Sequence, residues 1–136
     1  MKLQWSKDYE LGHQVIDAEH KEIFALVQNV FDIKTGTRKE KVDEIVSFLI
    51  NYTVQHFRNE ENLMAQSAYP QTELHKKQHS DFAQAATDLH KRIMDEGDTI
   101  SISVEVNKTV VDWLITHVLG SDKLLADHYK QWKSKA

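Results

Sequence analysis

The chain has 136 residues, no cysteine, eight histidines and a formal net charge of −4, enough length for one domain with a core that needs no disulfides and no means of making thiolate metal sites, iron–sulfur clusters or a cysteine nucleophile. Lys and Arg are dispersed among Asp and Glu, so no basic patch offers itself to nucleic acid. With neither a signal-peptide pattern at the N-terminus nor a run of ~20 apolar residues that would span a membrane, the expectation is a single monomeric domain over 1–136, cytoplasmic, with no nucleic-acid and no membrane partner.

One proline, four glycines and frequent Lys, Glu, Gln and Ala favour helices throughout. The first dozen residues read as an extended segment. From Asp17, His20, Ile23, Phe24, Val27, Val30 and Phe31 recur at helical steps and make one apolar stripe ending near Gly36. Thr37-Arg38-Lys39-Glu40 reads as a capping box that opens a second helix. Its stripe is Val42, Ile45, Val46, Leu49, Tyr52, Thr53, His56, Glu60 and Leu63. Pro70 suits the first turn of a third helix, where its missing N–H costs nothing. That helix runs to about Asp95, with His75, His79, Phe82, Ala86, Leu89 and Ile93 facing inward and Gly97-Asp98 closing it. After candidate N-caps Ser101 and Ser103, a fourth row reads Val106, Val110, Trp113 and His117. Gly120 marks a helix end there, with Asp122 in the turn beyond it. The fold class expected is all-α: an up-down-up-down four-helix bundle with an N-terminal extended segment and a short C-terminal helical segment.

The unusual feature is what the inward rows contain. A lone histidine on an apolar stripe is more often a core residue bonded to a backbone carbonyl than a ligand. Here five histidines (His20, His56, His75, His79 and His117) and two carboxylates (Glu60 and Asp122) share the interior. Buried carboxylates beside several imidazoles are costly unless a cation compensates. The pairs His56/Glu60 and His75/His79 are each spaced by four, which stacks two ligand-type side chains on one face. His13, His90 and His128 fall outside these rows and are assigned to surface hydrogen bonding. Seven donors exceed the four of a structural zinc site, and five imidazoles are too rich in nitrogen for calcium or magnesium. Two octahedral ions sharing Glu60, Asp122 and one solvent-derived oxygen would use every donor. Five histidines then divide unequally, which leaves one coordination position open to a small molecule. Iron suits imidazole with carboxylate and supplies electrons to such a molecule.

In order and spacing these residues resemble the hemerythrin family, specifically the short prokaryotic bacteriohemerythrins. The likeness covers nearly the whole chain, from Trp5 and Gly12 through Ile16-Asp17-Ala18-Glu19-His20, His56-Phe57-Arg58-Asn59-Glu60-Glu61 and His75-Lys76-Lys77-Gln78-His79 to Trp113-Leu114-Ile115-Thr116-His117 and Asp122. The resemblance implies a non-haem centre of two iron ions (Fe2+/Fe3+) with a bridging oxo or hydroxo group. It implies that His75, His79 and His117 hold the saturated iron, His20 and His56 the five-coordinate iron, and Glu60 and Asp122 bridge them. It also implies reversible O2 binding, for carriage, storage or delivery, with O2 held end-on as a hydroperoxide on the five-coordinate iron, and no catalytic turnover.

Ile23, Phe57, Trp113, Leu114 and Val118 are the candidate walls of the O2 pocket, since a dry pocket slows loss of reduced oxygen; the same residues at helical spacing would also serve as plain core. The family often carries an aromatic residue three positions after the bridging aspartate, where this chain has Leu125. The alternatives are an O2 or redox sensor domain, a di-iron peroxidase or oxidase, and a zinc protein. An imidazole-rich donor set argues against the oxidising enzymes, whose sites carry more carboxylates.

Overall fold

The computed structural model describes residues 4–33, 39–96 and 107–135. The rows of apolar residues become helices because each buries its stripe against the others. Helix α1 runs Gln14–Phe31, α2 Lys39–Ser67 and α3 Thr72–Glu96. The fourth rod is continuous from Asn107 to Ser134. It alternates a π-helical segment Asn107–Asp112, α4 Trp113–His117, a second π-helical segment Val118–Asp122, and α5 Lys123–Ser134. Helix α2 packs on α1, α3 and α5, and α3 also meets the start of the fourth rod. All-α architecture is thus as expected. The capping box before Lys39, Gly36, Gly97-Asp98, Ser101, Ser103 and Val106 lie outside the described residues.

The inward rows match the sequence pattern closely. His20, Ile23, Phe24 and Val27 on α1 are buried, as are all six inward residues of α3. Their apolar members join Val46, Leu49, Phe57, Val110, Leu114 and Val118 in one core cluster.

Two expectations are corrected. The fourth helix does not end at Gly120, and Asp122 is not in a turn: the backbone at His117, Val118, Asp122 and Lys123 is helical throughout. The physical reason is the π-helical segment. At about 100° per residue an α-helix would set Asp122 some 140° around from His117, whereas i→i+5 pairing widens the turn and returns position i+5 to nearly the same face. The expected short C-terminal helical segment is present as α5, whose Leu125 and Ala126 are fully buried. Pro70 precedes α3 rather than opening it. Thr72 N–H donates to Tyr69 O at 3.2 Å, which makes Pro70 the second residue of a tight turn, where its fixed φ fits equally well.

The N-terminal stretch carries a 3₁₀ turn, Lys7–Tyr9, capped by Ser6. It is tied down at both ends of the chain. The Asp17 carboxylate accepts from Leu11 N–H (2.8 Å) and Gly12 N–H (3.1 Å), and Lys130 Nζ donates to Leu11 O at 2.6 Å. His13 caps α1 by accepting from Ile16 N–H.

Two glycines should respond oppositely to alanine. Gly12 has φ +84° and an added Cβ would lie 2.2 Å from Lys130 Nζ, so Gly12→Ala is expected to destabilise by about 1–2 kcal/mol. An added Cβ at Gly120 meets nothing within 4 Å. Gly120→Ala is expected to stabilise by about 0.5–1 kcal/mol. Thermal melts of both variants check the pair, and a destabilising Gly120→Ala would contradict the continuous rod.

Candidate metal centre

Four rods each deliver ligand-type side chains to one buried point. Helix α1 brings His20, α2 brings His56 and Glu60, α3 brings His75 and His79, and the fourth rod brings His117 and Asp122. All seven are buried, with Glu60 and His20 fully so. Every sequence-identified ligand candidate is therefore in the cluster.

The two carboxylates organise it. Glu60 Oε1 faces His75 Nε2 (3.2 Å) and His79 Nε2 (3.0 Å), while its Oε2 faces His56 Nε2 (3.0 Å) and His20 Nε2 (3.5 Å). Asp122 repeats the division: Oδ1 lies 3.1 Å from His75 Nε2 and 3.0 Å from His117 Nε2, and Oδ2 lies 3.0 Å from His20 Nε2. Two donor groups result, each tight enough to hold a cation. One comprises His75, His79 and His117, the other His20 and His56, and Glu60 and Asp122 belong to both.

The chemistry of the set fits a metal. His20 Nε2, His117 Nε2, Glu60 Oε2 and Asp122 Oδ1 are buried and have no hydrogen-bond partner among the described residues despite these short approaches. They belong to groups whose ligand atoms all lie within 4.8 Å of one another, an arrangement that a cation would satisfy where hydrogen bonds do not. Without a cation, protons must do the compensating. Burial alone would push the His56 imidazolium down, but Glu60 and Glu19 override it and hold it up at about 10. His75 likewise is driven down by burial and more strongly up by Asp122 and Glu60, to about 9. His20 is raised by the same two carboxylates against its burial. Glu60 and Asp122 are held low: burial opposes their ionisation, and the imidazoles beside them, His56 for Glu60 and His117 for Asp122, outweigh it.

A second layer fixes ring orientation. Glu19 Oε1 lies 2.8 Å from His56 Nδ1, and Asn59 Nδ2 donates to Glu19 Oε2 at 2.6 Å. Glu61 Oε2 lies 3.1 Å from His79 Nδ1. A carboxylate at Nδ1 keeps the proton there and leaves Nε2 free to bind a metal. Sequence reading passed over Glu19, Asn59 and Glu61. Their one available signal is adjacency, since Glu19 precedes His20 and Glu61 follows Glu60 at the edges of the inward rows.

The other three histidines take the surface roles expected: His13 as the α1 cap, His90 paired with Asp43 at 2.8 Å, and His128 on Ser67 O at 2.9 Å. Of the five wall candidates, Ile23, Phe57, Leu114 and Val118 are buried in the core cluster and Trp113 is partly buried against it. Phe57 stacks on the His79 ring at 3.9 Å, and Trp113 stacks on His117 at 4.2 Å. Leu125 is fully buried beside Met64 and Tyr69, so the tyrosine from the α2–α3 turn supplies an aromatic ring at that end of the site.

A family model described as Hemerythrin HHE cation binding domain matches residues 11–129, which include all seven clustered side chains. The chain belongs to the hemerythrin family. It is 30% identical over 128 residues to a bacteriohemerythrin of Stenotrophomonas maltophilia, covering 94% of this chain and 82% of that protein. A bacteriohemerythrin of Pseudomonas aeruginosa is 30% identical over 120 residues, 88% of this chain and 76% of that protein. A myohemerythrin of Theromyzon tessulatum is 28% identical over 119 residues, 88% and 87% respectively. Among the described residues the regular structure is helical, and the chain carries a buried His, Glu and Asp cluster able to hold metal. Among the described residues no helix is long and apolar enough to cross a membrane.

Proposed function

We propose that this hemerythrin binds O2 reversibly at a non-haem di-iron centre and acts as a binding protein rather than an enzyme. The observation that carries the reading is the unequal division of imidazoles around two shared carboxylates: Glu60 and Asp122 each turn one oxygen toward the group of three, His75, His79 and His117, and the other toward the group of two, His20 and His56. Three imidazoles plus bridging oxygens fill an octahedral ion, whereas two leave a place at its neighbour. In this assignment His75, His79 and His117 hold the saturated iron and His20 and His56 the open one. When bound, the iron pair supplies the electrons that O2 takes up and the single position at which it is held end-on.

The protein's own residues do the rest. Glu19 and Glu61 hold His56 and His79 with Nε2 inward. Phe57, Trp113, Ile23, Leu114 and Val118 keep water from the site, which preserves reversibility by denying protons to reduced oxygen. Five imidazoles against two carboxylates give less anionic charge than high-valent oxidising chemistry draws on.

The test is the visible spectrum of anaerobically iron(II)-loaded protein before air, after air, and after purging with inert gas. Charge-transfer bands are expected to appear in air and vanish on purging. Bands that persist would transfer the assignment to a redox sensor or di-iron oxidase, and absence of bound iron would overturn the centre itself.

A further inference from the structure

The ligand row repeats, one heptad along each helix, as an apolar layer. Seven residues after His20 is Val27; seven before His56 is Leu49; seven after His79 is Ala86; seven before His117 is Val110. A heptad is close to two helical turns and rises about 10 Å, so this layer lies on the same inward face, about 10 Å from the metal-binding cluster. Three of its four residues are branched aliphatics and the fourth is alanine. Beside this layer lies a partly open pocket of about 30 Å³ between all four rods, its wall completed by Val46, Ile93 and their neighbours.

The wall is almost wholly carbon. Among the described residues its only polar side chain is His90, which sits partly exposed with Nε2 engaged by Asp43 at 2.8 Å. A water molecule needs two to four polar partners to be held in such a place, and an apolar lining of this kind favours apolar guests. The volume corresponds to about two water-sized spheres, enough for a diatomic gas. The same apolar cluster continues from the cavity through Phe57 and Leu114 to the imidazoles.

We propose that this layer is a second, metal-independent binding site for one small apolar molecule. That the guest is O2 rests on the function proposed above; the site itself does not. Held there, O2 waits in apolar surroundings about 10 Å from the centre that binds it.

The experiment is to pressurise crystals of the iron-loaded protein with xenon and locate the atom by anomalous scattering. One xenon is expected among Val27, Leu49, Ala86 and Val110, lost in Ala86→Leu and reduced in the milder Val46→Ile. Both variants are expected to keep their helicity and iron content. No xenon in this layer, a peak unmoved by either substitution, or ordered water in its place would overturn the site. The air-and-purge spectrum of the same preparations separates the two readings. Xenon in the layer with irreversible bands keeps the site and removes O2 as guest. Reversible bands without xenon remove the site alone.

Discussion

Iron(II)-loaded Glu60→Ala protein is expected to lose the iron pair, with metal affinity reduced by more than about 100-fold, beyond what loss of an outer partner costs. Glu60 is the one side chain that approaches four of the five imidazoles, two through each oxygen. Its removal deprives both donor groups at once, so a single remaining iron in ordinary six-coordination is not the expected product. Metal-free Glu60→Ala should also be less stable at about pH 6, by roughly 3–5 kcal/mol, because its loss leaves buried imidazolium charge without its partner. Iron analysis, with calorimetry of the metal-free protein, checks both. Glu19→Ala is the control: Glu19 reaches the site through His56 Nδ1, with Asn59 holding its other oxygen, so it should weaken iron by about 10- to 100-fold while leaving the pair assembled. Full retention of two irons in Glu60→Ala would end the bridging assignment. Equal losses in the two variants would mean that Glu60 acts only through ring orientation.

The contrast between these two residues marks where the sequence was informative. Glu60 and the five histidines stand on rows whose period is that of a buried stripe, so a polar residue there announces itself by breaking an apolar pattern. Glu19, Asn59 and Glu61 stand at the edges of those rows, where charged residues are ordinary, and only the packing of α1 on α2 and of α2 on α3 shows that they reach an imidazole. Helices α1 to α3 were legible for the same reason, each having one uninterrupted period. The fourth rod was not. Gly120 is a common helix terminator, and the five-residue step from His117 to Asp122 fits no α-helical face. Reading Asp122 into a turn was the sensible inference from an α-helical rule. The rod instead changes its own period, and the π-helical segment that hides Asp122 from pattern reading also aims it at His75 and His117. Such segments occur often at functional sites.

Metal-free protein is expected to lose stability as pH rises from about 6 to about 9, and iron loading is expected to reverse that slope. His56 and His75 have folded values of about 10 and about 9 against 6.5 for the free side chain. A raised histidine stabilises the fold fully below its unfolded value and loses that contribution as pH climbs through the folded one. Glu60 and Asp122 are lowered, so their contribution is present above the ordinary carboxylate range and disappears only in stronger acid. The two effects coincide between about pH 5 and about pH 6.5, where the metal-free protein should be most stable. At about 1.4 kcal/mol per unit, the histidine contribution lost by about pH 9 is at least about 2 kcal/mol. A metal ion demands the neutral ring, so each imidazolium must release its proton on loading and affinity should rise through the same interval. Anaerobic melts at the two pH values, with and without metal, and proton release in unbuffered titration measure both halves. A metal-free protein whose stability is flat across this range would mean that the imidazoles are neutral before loading, and the carboxylates would then require some other source of positive charge.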